Sequence, residues 1–507
     1  MDLVLIHPPV SRPCEPPAGL ARLSGALKAK GRQCLIIDAN MEGLLSLLKS
    51  NGTAEDTWTR RASLHLEENL ASIKSAKAFK NISRYTKALR EISRILEVNS
   101  QAFAAQVTLT NFQHDTLSPV RSTDLIHSAE HPEENVFSSY FRQRLSSILE
   151  EHAPRLVGFS LNYLSQALTT FAMIGLLRQL SRQVKIILGG GLITSWMKRP
   201  DWHNPFRGLV DELVEGPGEG RILALAGLEG CEENTWPDYT EFWHNGYLSP
   251  GRIIPFSTST GCYWSKCSFC PEKAEGNRYS CIPARHVPTE LKALVQLNSP
   301  GLIHLTDNAL SPSLLTAMTD YDSGVPWYGF ARITHHLTDK DFCLALKKSG
   351  CIMLQLGLES GDQAILDELG KGINLDEAAK ALATLHDAGI ATYVYLLFGT
   401  PVEDYGKALK TLAYVTKHAG SIDFLNLSIF NLPRGGPDAH NLQTYDFFDG
   451  DLSLYQGFIH PRGWDRNRVR QFLDKEFKRH PVISRIIRQD PPYFTSNHAP
   501  FFIKNRQ

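Results

Sequence analysis

The segment Ser257-Thr258-Ser259-Thr260-Gly261-Cys262-Tyr263-Trp264-Ser265-Lys266-Cys267-Ser268-Phe269-Cys270-Pro271 decides how the rest of this chain is understood. Three cysteines in so short a loop can hold three irons of a [4Fe–4S] cluster and leave the fourth iron without a protein ligand. Clusters that only carry electrons usually have four cysteine ligands. A three-cysteine loop therefore points to chemistry at the open iron, where S-adenosylmethionine (SAM) can bind and be cleaved to a radical. A zinc site would draw on a fourth ligand nearby, and Cys281 and His286 are the next candidates. Disulfides are not expected, because the nine cysteines are an odd number and Met1–His7 lacks the basic start of a secretory signal. The other six, Cys14, Cys34, Cys231, Cys281, Cys343 and Cys351, are scattered and read as buried or partly buried thiols in a reducing cytoplasm.

A length of 507 residues implies two or three domains with substantial cores. Hydrophobic residues at 42% and charged residues at 21% give a globular balance, and no apolar stretch approaches the ~20 residues of a membrane span. Lys plus Arg equals Asp plus Glu at 53 each, so no overall field favours nucleic acid. A small molecule, a lipid or a peptide remains open as substrate.

North of the cysteine loop the chain alternates strands and helices. Leu3–Ile6 is an apolar run ending at His7-Pro8-Pro9, followed by a helix over 19–30 and a strand at Cys34–Ile37. The same grammar resumes with a strand at 155–160, a helix over 164–180, a strand at 184–188 ending in Gly189-Gly190-Gly191, and a last strand over 209–215. Such a pattern predicts a doubly wound parallel sheet over 1–229, whose ligand lies beyond the carboxyl ends of its strands. Residues 41–150 read as a mostly helical insertion, with 111–134 polar and loop-like. Within it Lys74, Lys77, Lys80, Arg84, Lys87, Arg90 and Arg94 are spaced so that many of them share one helical face, a solvated face rather than a membrane or partner contact. A linker is expected over 230–249. Over 250–439 strands near 253–258, 302–306, 327–332, 352–358, 392–398 and 424–429 alternate with helices, which predicts a partial (β/α)6 barrel of TIM type. The cysteine loop directly follows its first strand, on the face where active sites of such barrels sit. An extension over 440–507 is aromatic, basic and rich in proline, with no motif.

These features together resemble the cobalamin-binding branch of the radical SAM superfamily over about residues 1–40, 154–225 and 253–430. The resemblance rests on Pro16-Pro17-Ala18-Gly19-Leu20 and Leu188-Gly189-Gly190 ahead of the cysteine loop, and on Gly216-Pro217-Gly218-Glu219, similar to the family's Gly-Glu-Gly-Glu turn. It also rests on Leu356-Gly357-Leu358-Glu359-Ser360-Gly361 with Lys371-Gly372, and on Leu397-Phe398-Gly399-Thr400-Pro401 with Glu403. One departure stands out: the commonest family loop has three residues between its first two cysteines, and here four intervene.

The resemblance implies a [4Fe–4S] cluster on Cys262, Cys267 and Cys270, SAM at the open iron, and cobalamin in the sheet domain. Phe269 would lie against the adenine, or be a core aromatic instead. Asp307 would accept from the methionine ammonium, or cap the following helix. Arg332 and Glu359 would bind the carboxylate and ribose of SAM, or pair with each other, and Gly399 would let the backbone approach the adenine. His7, Pro17, Gly19, Ser160, Asn162, Gly189, Gly190 and Gly191 would face cobalamin. No Asp-x-His-x-x-Gly segment offers a histidine to cobalt, so its lower face is expected to lack that ligand. The implied activity is methyl transfer to an unactivated centre through a 5′-deoxyadenosyl radical and methylcobalamin, with a flavodoxin or ferredoxin as reductant. A radical SAM enzyme without cobalamin and a non-catalytic iron–sulfur protein are the alternatives.

Overall fold

Leu3–His7 (β1) is apolar along its length and buried at every residue, the mark of a strand covered on both faces. It pairs in parallel with Leu35–Asp38 (β2) on one side and Leu156–Ser160 (β3) on the other. Lys185–Gly189 (β4) and Glu212–Leu213 (β5) complete a sheet of order β2-β1-β3-β4-β5. The computed structural model describes residues 2–50, 56–228, 236–322, 324–447 and 449–504. Two compact units result, Met1–Pro250 with Phe448–Leu454, and Gly251–Phe447 with Tyr455–Gln507.

The strand order of the first unit is the flavodoxin-like one, whose direction of winding reverses between β1 and β3. Ligands of such sheets bind outside the carboxyl ends of those two strands. The loop after β1 is fixed there by the helix Leu164–Leu180: Ser165 Oγ donates to Val10 O at 2.8 Å, Gln166 Nε2 to Pro8 O at 2.7 Å, and Thr169 Oγ1 to Pro9 O. The last strand is shorter than the expected 209–215, because only Glu212 and Leu213 pair with β4.

Between β2 and β3 the chain is helical, with the helix Ile82–Ser100 the longest element and a small hairpin of Ala105–Val107 and Phe112–His114. Residues 111–134 are not a loop. They contain one hairpin strand and the helix Ser122–Glu130, which packs on Leu164–Leu180 through small groups. A Cβ on Gly175 would lie 1.8 Å from Ala129 O, so glycine sets that helix separation. On the basic face, Lys87 lies 3.7 Å from Glu91 and Arg94 3.1 Å from Asp56, with the remaining cations exposed.

The expected linker is structural where it is described. Tyr239 and Phe242 are buried, Tyr247 Oη donates to Asp38 at 2.6 Å, and Leu248 N donates to Pro13 O at 2.8 Å. Residues 236–250 are therefore part of the first unit. Its remainder, with Cys231, lies outside the described residues.

In the second unit Ile253–Phe256 (β6), Leu302–Leu310 (β7), Trp327–Ala331 (β8), Cys351–Glu359 (β9), Ala391–Phe398 (β10) and Phe424–Ile429 (β11) form one parallel sheet. Its order is β11-β10-β9-β8-β7-β6, each strand beside its sequence neighbour, so all six carboxyl ends share one edge. In the described part of the extension beyond 440, Tyr455–Phe458 sits between Leu432–Pro433 and Thr444–Tyr445 in a small antiparallel sheet, and the helices Arg466–Phe472, Pro481–Ile487 and Thr495–Lys504 follow.

Gly175→Ala forces the two helices of the first unit apart and is expected to lower stability by about 1–3 kcal/mol. Urea unfolding followed by circular dichroism measures it, and an unchanged midpoint would show that the crossing tolerates a methyl group.

Candidate active site

The cysteine loop leaves the end of β6 and is closed at its base by pairing of Ser259–Thr260 with Ser280–Cys281. Gly261 has φ +70°, and a Cβ there would lie 2.6 Å from Arg278 O, so the closure requires glycine. Asp307, buried in β7, fixes the approach to the loop. Its carboxylate accepts from Thr258 N at 3.0 Å, Thr258 Oγ1 at 2.7 Å and Ser259 Oγ at 2.5 Å. It does not cap the next helix; Ser311 does, accepting from Leu314 N at 3.2 Å.

Within the four-residue first cysteine interval Ser265 sits in the left-handed region, φ +47°. Trp264 turns inward beside it. Its Nε1 donates to Gly370 O at 3.0 Å, and the Arg332 guanidinium lies 4.1 Å from the ring centre. Arg332 Nη1 is 3.9 Å from Cys267 Sγ, and Nη2 donates to Lys371 O. Ser268 N donates to Leu369 O at 3.0 Å, so the loop is strapped to residues 369–372 at several points.

Glu359 sits at the end of β9 with φ +68°, where the register with β10 slips. It accepts from Lys371 Nζ at 2.7 Å in a buried ion pair, so its partner is Lys371 and not Arg332. Lys371 Nζ also lies 5.6 Å from the Phe269 ring centre, and Phe269 is half-buried instead of a core aromatic. Burial pushes the Cys267 and Cys270 thiols above their ordinary range, while the Lys371 and Arg332 charges pull Cys267 back.

Among the described residues no three His, Cys, Asp or Glu side chains converge on a single-ion site. A cubane asks for a different arrangement, three sulfurs each meeting its own iron corner. Three unpaired cysteines on one closed loop, with two cations beside the most buried sulfur, fit that donor set. Of the scattered cysteines, Cys14, Cys34, Cys343 and Cys351 are buried, but Cys281 is exposed.

In the first unit, Gly19 is exposed and faces Ser160, whose Oγ would lie 4.0 Å from a Cβ there, and Pro17 precedes the helix Ala18–Ala29. Asn162 Nδ2 donates to Ser160 Oγ at 3.1 Å, and its Oδ1 accepts from Gly191 N at 2.9 Å. The glycine run is not an open cradle throughout. Gly190 has φ +110° and packs on the backbone of Leu161, 2.4 Å from its oxygen for an added Cβ, and Leu161 N donates to Gly189 O at 2.8 Å. Only Gly191 of the three is exposed. His7 is buried, with Nε2 2.8 Å from Ser11 Oγ, Nδ1 without a partner, and burial holding its pKa below the ordinary value.

Residues 256–415 match the profile of the radical SAM superfamily. That stretch, about a third of the chain, carries the superfamily's domain and spans the second unit from the end of β6 past β10. The anaerobic magnesium-protoporphyrin IX monomethyl ester cyclase of Rubrivivax gelatinosus is 27% identical over 206 residues, 38% of this chain and 37% of the cyclase. An uncharacterized methyltransferase of Pyrococcus horikoshii is 22% identical over 324 residues, 56% of this chain and 68% of that protein. The chain thus spans little more than a third of the first of these relatives. The radical SAM methyltransferase TsrM of Kitasatospora setae, solved with tryptophan and a SAM analog, aligns with a TM-score of 0.55 at 16% identity, covering 88% of this chain and 79% of TsrM. TsrM is also solved with cobalamin and a [4Fe–4S] cluster. The likeness is one of fold, and it extends at a TM-score of 0.52 and 12% identity to the cobalamin-dependent SAM radical enzyme OxsB. No helix among the described residues is long and apolar enough to cross a membrane.

The second unit holds a further buried acid, Glu403, which the resemblance includes but to which it assigns no role. Gly399 ends β10 with φ +80°, and its N–H donates to Glu403. Trp464 Nε1 donates to the same carboxylate oxygen at 3.0 Å, and His460 Nε2 bonds Thr400 O at 2.9 Å, so the extension is pinned to this strand-end turn. Glu403 is 1% exposed, and its Oε1 has no partner. Burial pushes its pKa up to about 7. Because this exceeds the unfolded value near 4.5, the folded protein holds the proton more tightly. The associated stability is complete below about pH 4.5 and is lost as pH rises through about 7. Relative to Glu403→Gln, the wild type is expected to lose about 2–3 kcal/mol between those limits in pH-dependent urea unfolding. Parallel pH profiles for the two proteins would show that Glu403 does not hold its proton.

Proposed function

We propose that the chain is a cobalamin-dependent radical SAM methyltransferase with its second unit built as a (β/α)6 partial barrel, acting on a small molecule, lipid or peptide at a centre without acidic hydrogens. The observation that carries this reading is the presence, in one chain, of a three-cysteine loop at one strand end and a flavodoxin-like switch point bordered by Gly19, Ser160 and Gly191. Methyltransferases among the relatives of sequence and fold support it.

In this reading Cys262, Cys267 and Cys270 hold the cluster. Asp307 keeps the loop's first turn in place through Thr258 and Ser259, and the Glu359–Lys371 pair keeps residues 370–372 against it. Phe269 and the Gly399 turn receive the adenine, and the lone pairs left on Asp307 and Glu359 meet the polar groups of SAM. In the first unit Gly19 and Gly191 leave room for a corrinoid, Ser160 and Asn162 present neutral hydrogen-bonding groups to it, and His7 lies below the rim. Cluster, SAM and cobalamin, when bound, supply radical initiation and a transferable methyl group. The residues bind and orient these groups and exclude water, and a flavodoxin or ferredoxin supplies the electron.

Anaerobic reconstitution with cobalamin is expected to give about four irons per chain and a corrinoid absorption that stays with the protein through gel filtration. With dithionite and SAM the wild type forms 5′-deoxyadenosine, and Cys262→Ala, Cys267→Ala and Cys270→Ala each reduce it to background. Extract of the native host with methyl-deuterated SAM is expected to yield a product heavier by the labelled methyl group. Retained deoxyadenosine formation in any cysteine variant would overturn the ligand set. Loss of the corrinoid with deoxyadenosine formation intact would establish a radical enzyme without cobalamin.

A further inference from the structure

Arg332 is a buried cation for which the structure supplies no carboxylate among the described residues. It is 5% exposed, the nearby Glu359 is taken by Lys371, and the groups around its guanidinium are Lys371 O, the Trp264 ring, Cys267 Sγ and the neutral Tyr263 side chain. A buried charge without a counter-charge is costly, so this arrangement is suited to negative charge arriving at Cys267. Trp264 sets where the guanidinium points. Its N–H is bonded to Gly370 O, and its six-membered ring fills the space of the missing side chain at Gly372, where a Cβ would lie 2.2 Å from Cζ2. Gly372 has φ +63°, which makes it hard to replace on backbone grounds as well. The indole is thus anchored by residues 370–372 and presents a π surface 4.1 Å from the Arg332 cation, which its quadrupole attracts.

We propose that Trp264 is a positioning residue for reduction of the cluster: it pins the Arg332 guanidinium beside the Cys267 sulfur and so makes the added electron easier to accept. A 2+ core held by three thiolates carries one net negative charge, and one-electron reduction raises that to two. A fixed cation 3.9 Å from a ligating sulfur favours the more negative state, because water does not screen the charge in a protein interior. The four-residue cysteine interval is what accommodates this device, since Ser265 takes the left-handed turn that leaves Trp264 facing inward. The inference rests on the cluster assignment proposed above.

The test is a potentiometric titration of anaerobically reconstituted full-length protein, without SAM, in which dithionite is the one-electron donor and the paramagnetic signal of the reduced cluster is followed. Trp264→Ala and Arg332→Gln are each expected to lower the equilibrium constant for reduction at least tenfold, a shift of about 59 mV or more for one electron. Trp264→Phe retains a ring face and is expected to stay within about twofold of wild type, because the face is what holds the cation. The double variant is expected to match Arg332→Gln, since Trp264 acts only through the arginine. Trp264→Leu replaces Trp264→Ala should the latter fail to take up iron. An iron-replete Trp264→Ala or Trp264→Leu protein with the wild-type midpoint would overturn the proposal. So would an unchanged midpoint in Arg332→Gln accompanied by weakened SAM binding, which would make Arg332 a SAM ligand instead. A wild-type protein that takes up no iron would instead sink the cluster assignment itself.

Discussion

The grip of the Asp307 carboxylate on Thr258 and Ser259 is the contact on which the candidate active site depends. A loop of some twenty residues projecting from a strand end has many conformations to lose, and three cysteines on it are useful only if their sulfurs are presented in a fixed pattern. Three donors on one buried carboxylate fix the direction in which the chain leaves β6. The short pairing of Ser259–Thr260 with Ser280–Cys281 then returns it to the same place. Removing the acid would leave a buried N–H and two hydroxyls to compete for other partners, at the point where the loop is hinged. Asp307 is therefore structural in this protein before any ligand is considered, even though its position at a strand end invites a purely ligand-binding interpretation.

A second feature organises the opposite side of the loop. Residues 369–372 supply two backbone carbonyls, Leu369 O and Gly370 O, that accept from Ser268 and Trp264, and a third, Lys371 O, that accepts from Arg332. The same short turn carries the lysine that neutralises Glu359. Glycines at 370 and 372, both at positive φ, let the turn lie this close to the cysteine loop. The loop is thus held between a carboxylate on β7 and the turn that follows β9, so its geometry is set by the sheet rather than by its own sequence.

The strands were legible because those of covered parallel sheets are nearly pure apolar runs, as in Cys351–Glu359, where every residue is buried. The cysteine triplet was legible from spacing alone. The helix Ser122–Glu130 was not, because its buried positions include Ser122, Ser128 and Ala129 alongside Leu125, and small groups packing on Gly175 leave little hydrophobic periodicity. Residues 236–249 carry five aromatics that a free linker would have no reason to contain, and composition could have signalled their packing. The roles of Trp264, Lys371 and Glu403 were beyond reach for a different reason. Each acts through a partner twelve or more residues away, so that only the folded chain brings Trp264 to Gly370, Lys371 to Glu359, or Trp464 to Glu403. For Arg332 and Glu359 the alternative of a mutual ion pair fails, since two opposite charges at neighbouring strand ends do not reveal a lysine that intervenes from a loop.

The return of residues 449–454 to the first unit has a consequence for biogenesis. Asp449 pairs with Arg121 at 2.7 Å, Asp451 accepts from Ser122 N at 2.8 Å, and Leu452 N donates to Val120 O at 2.9 Å. A ribosome delivers the chain from its amino end, and a unit ordinarily matures once its own stretch has emerged. Here nearly two hundred residues of the next unit must be synthesised before the first receives its last strap. Nascent protein stalled or cut short within that interval would leave the end of the helix Ser122–Glu130 without its partners.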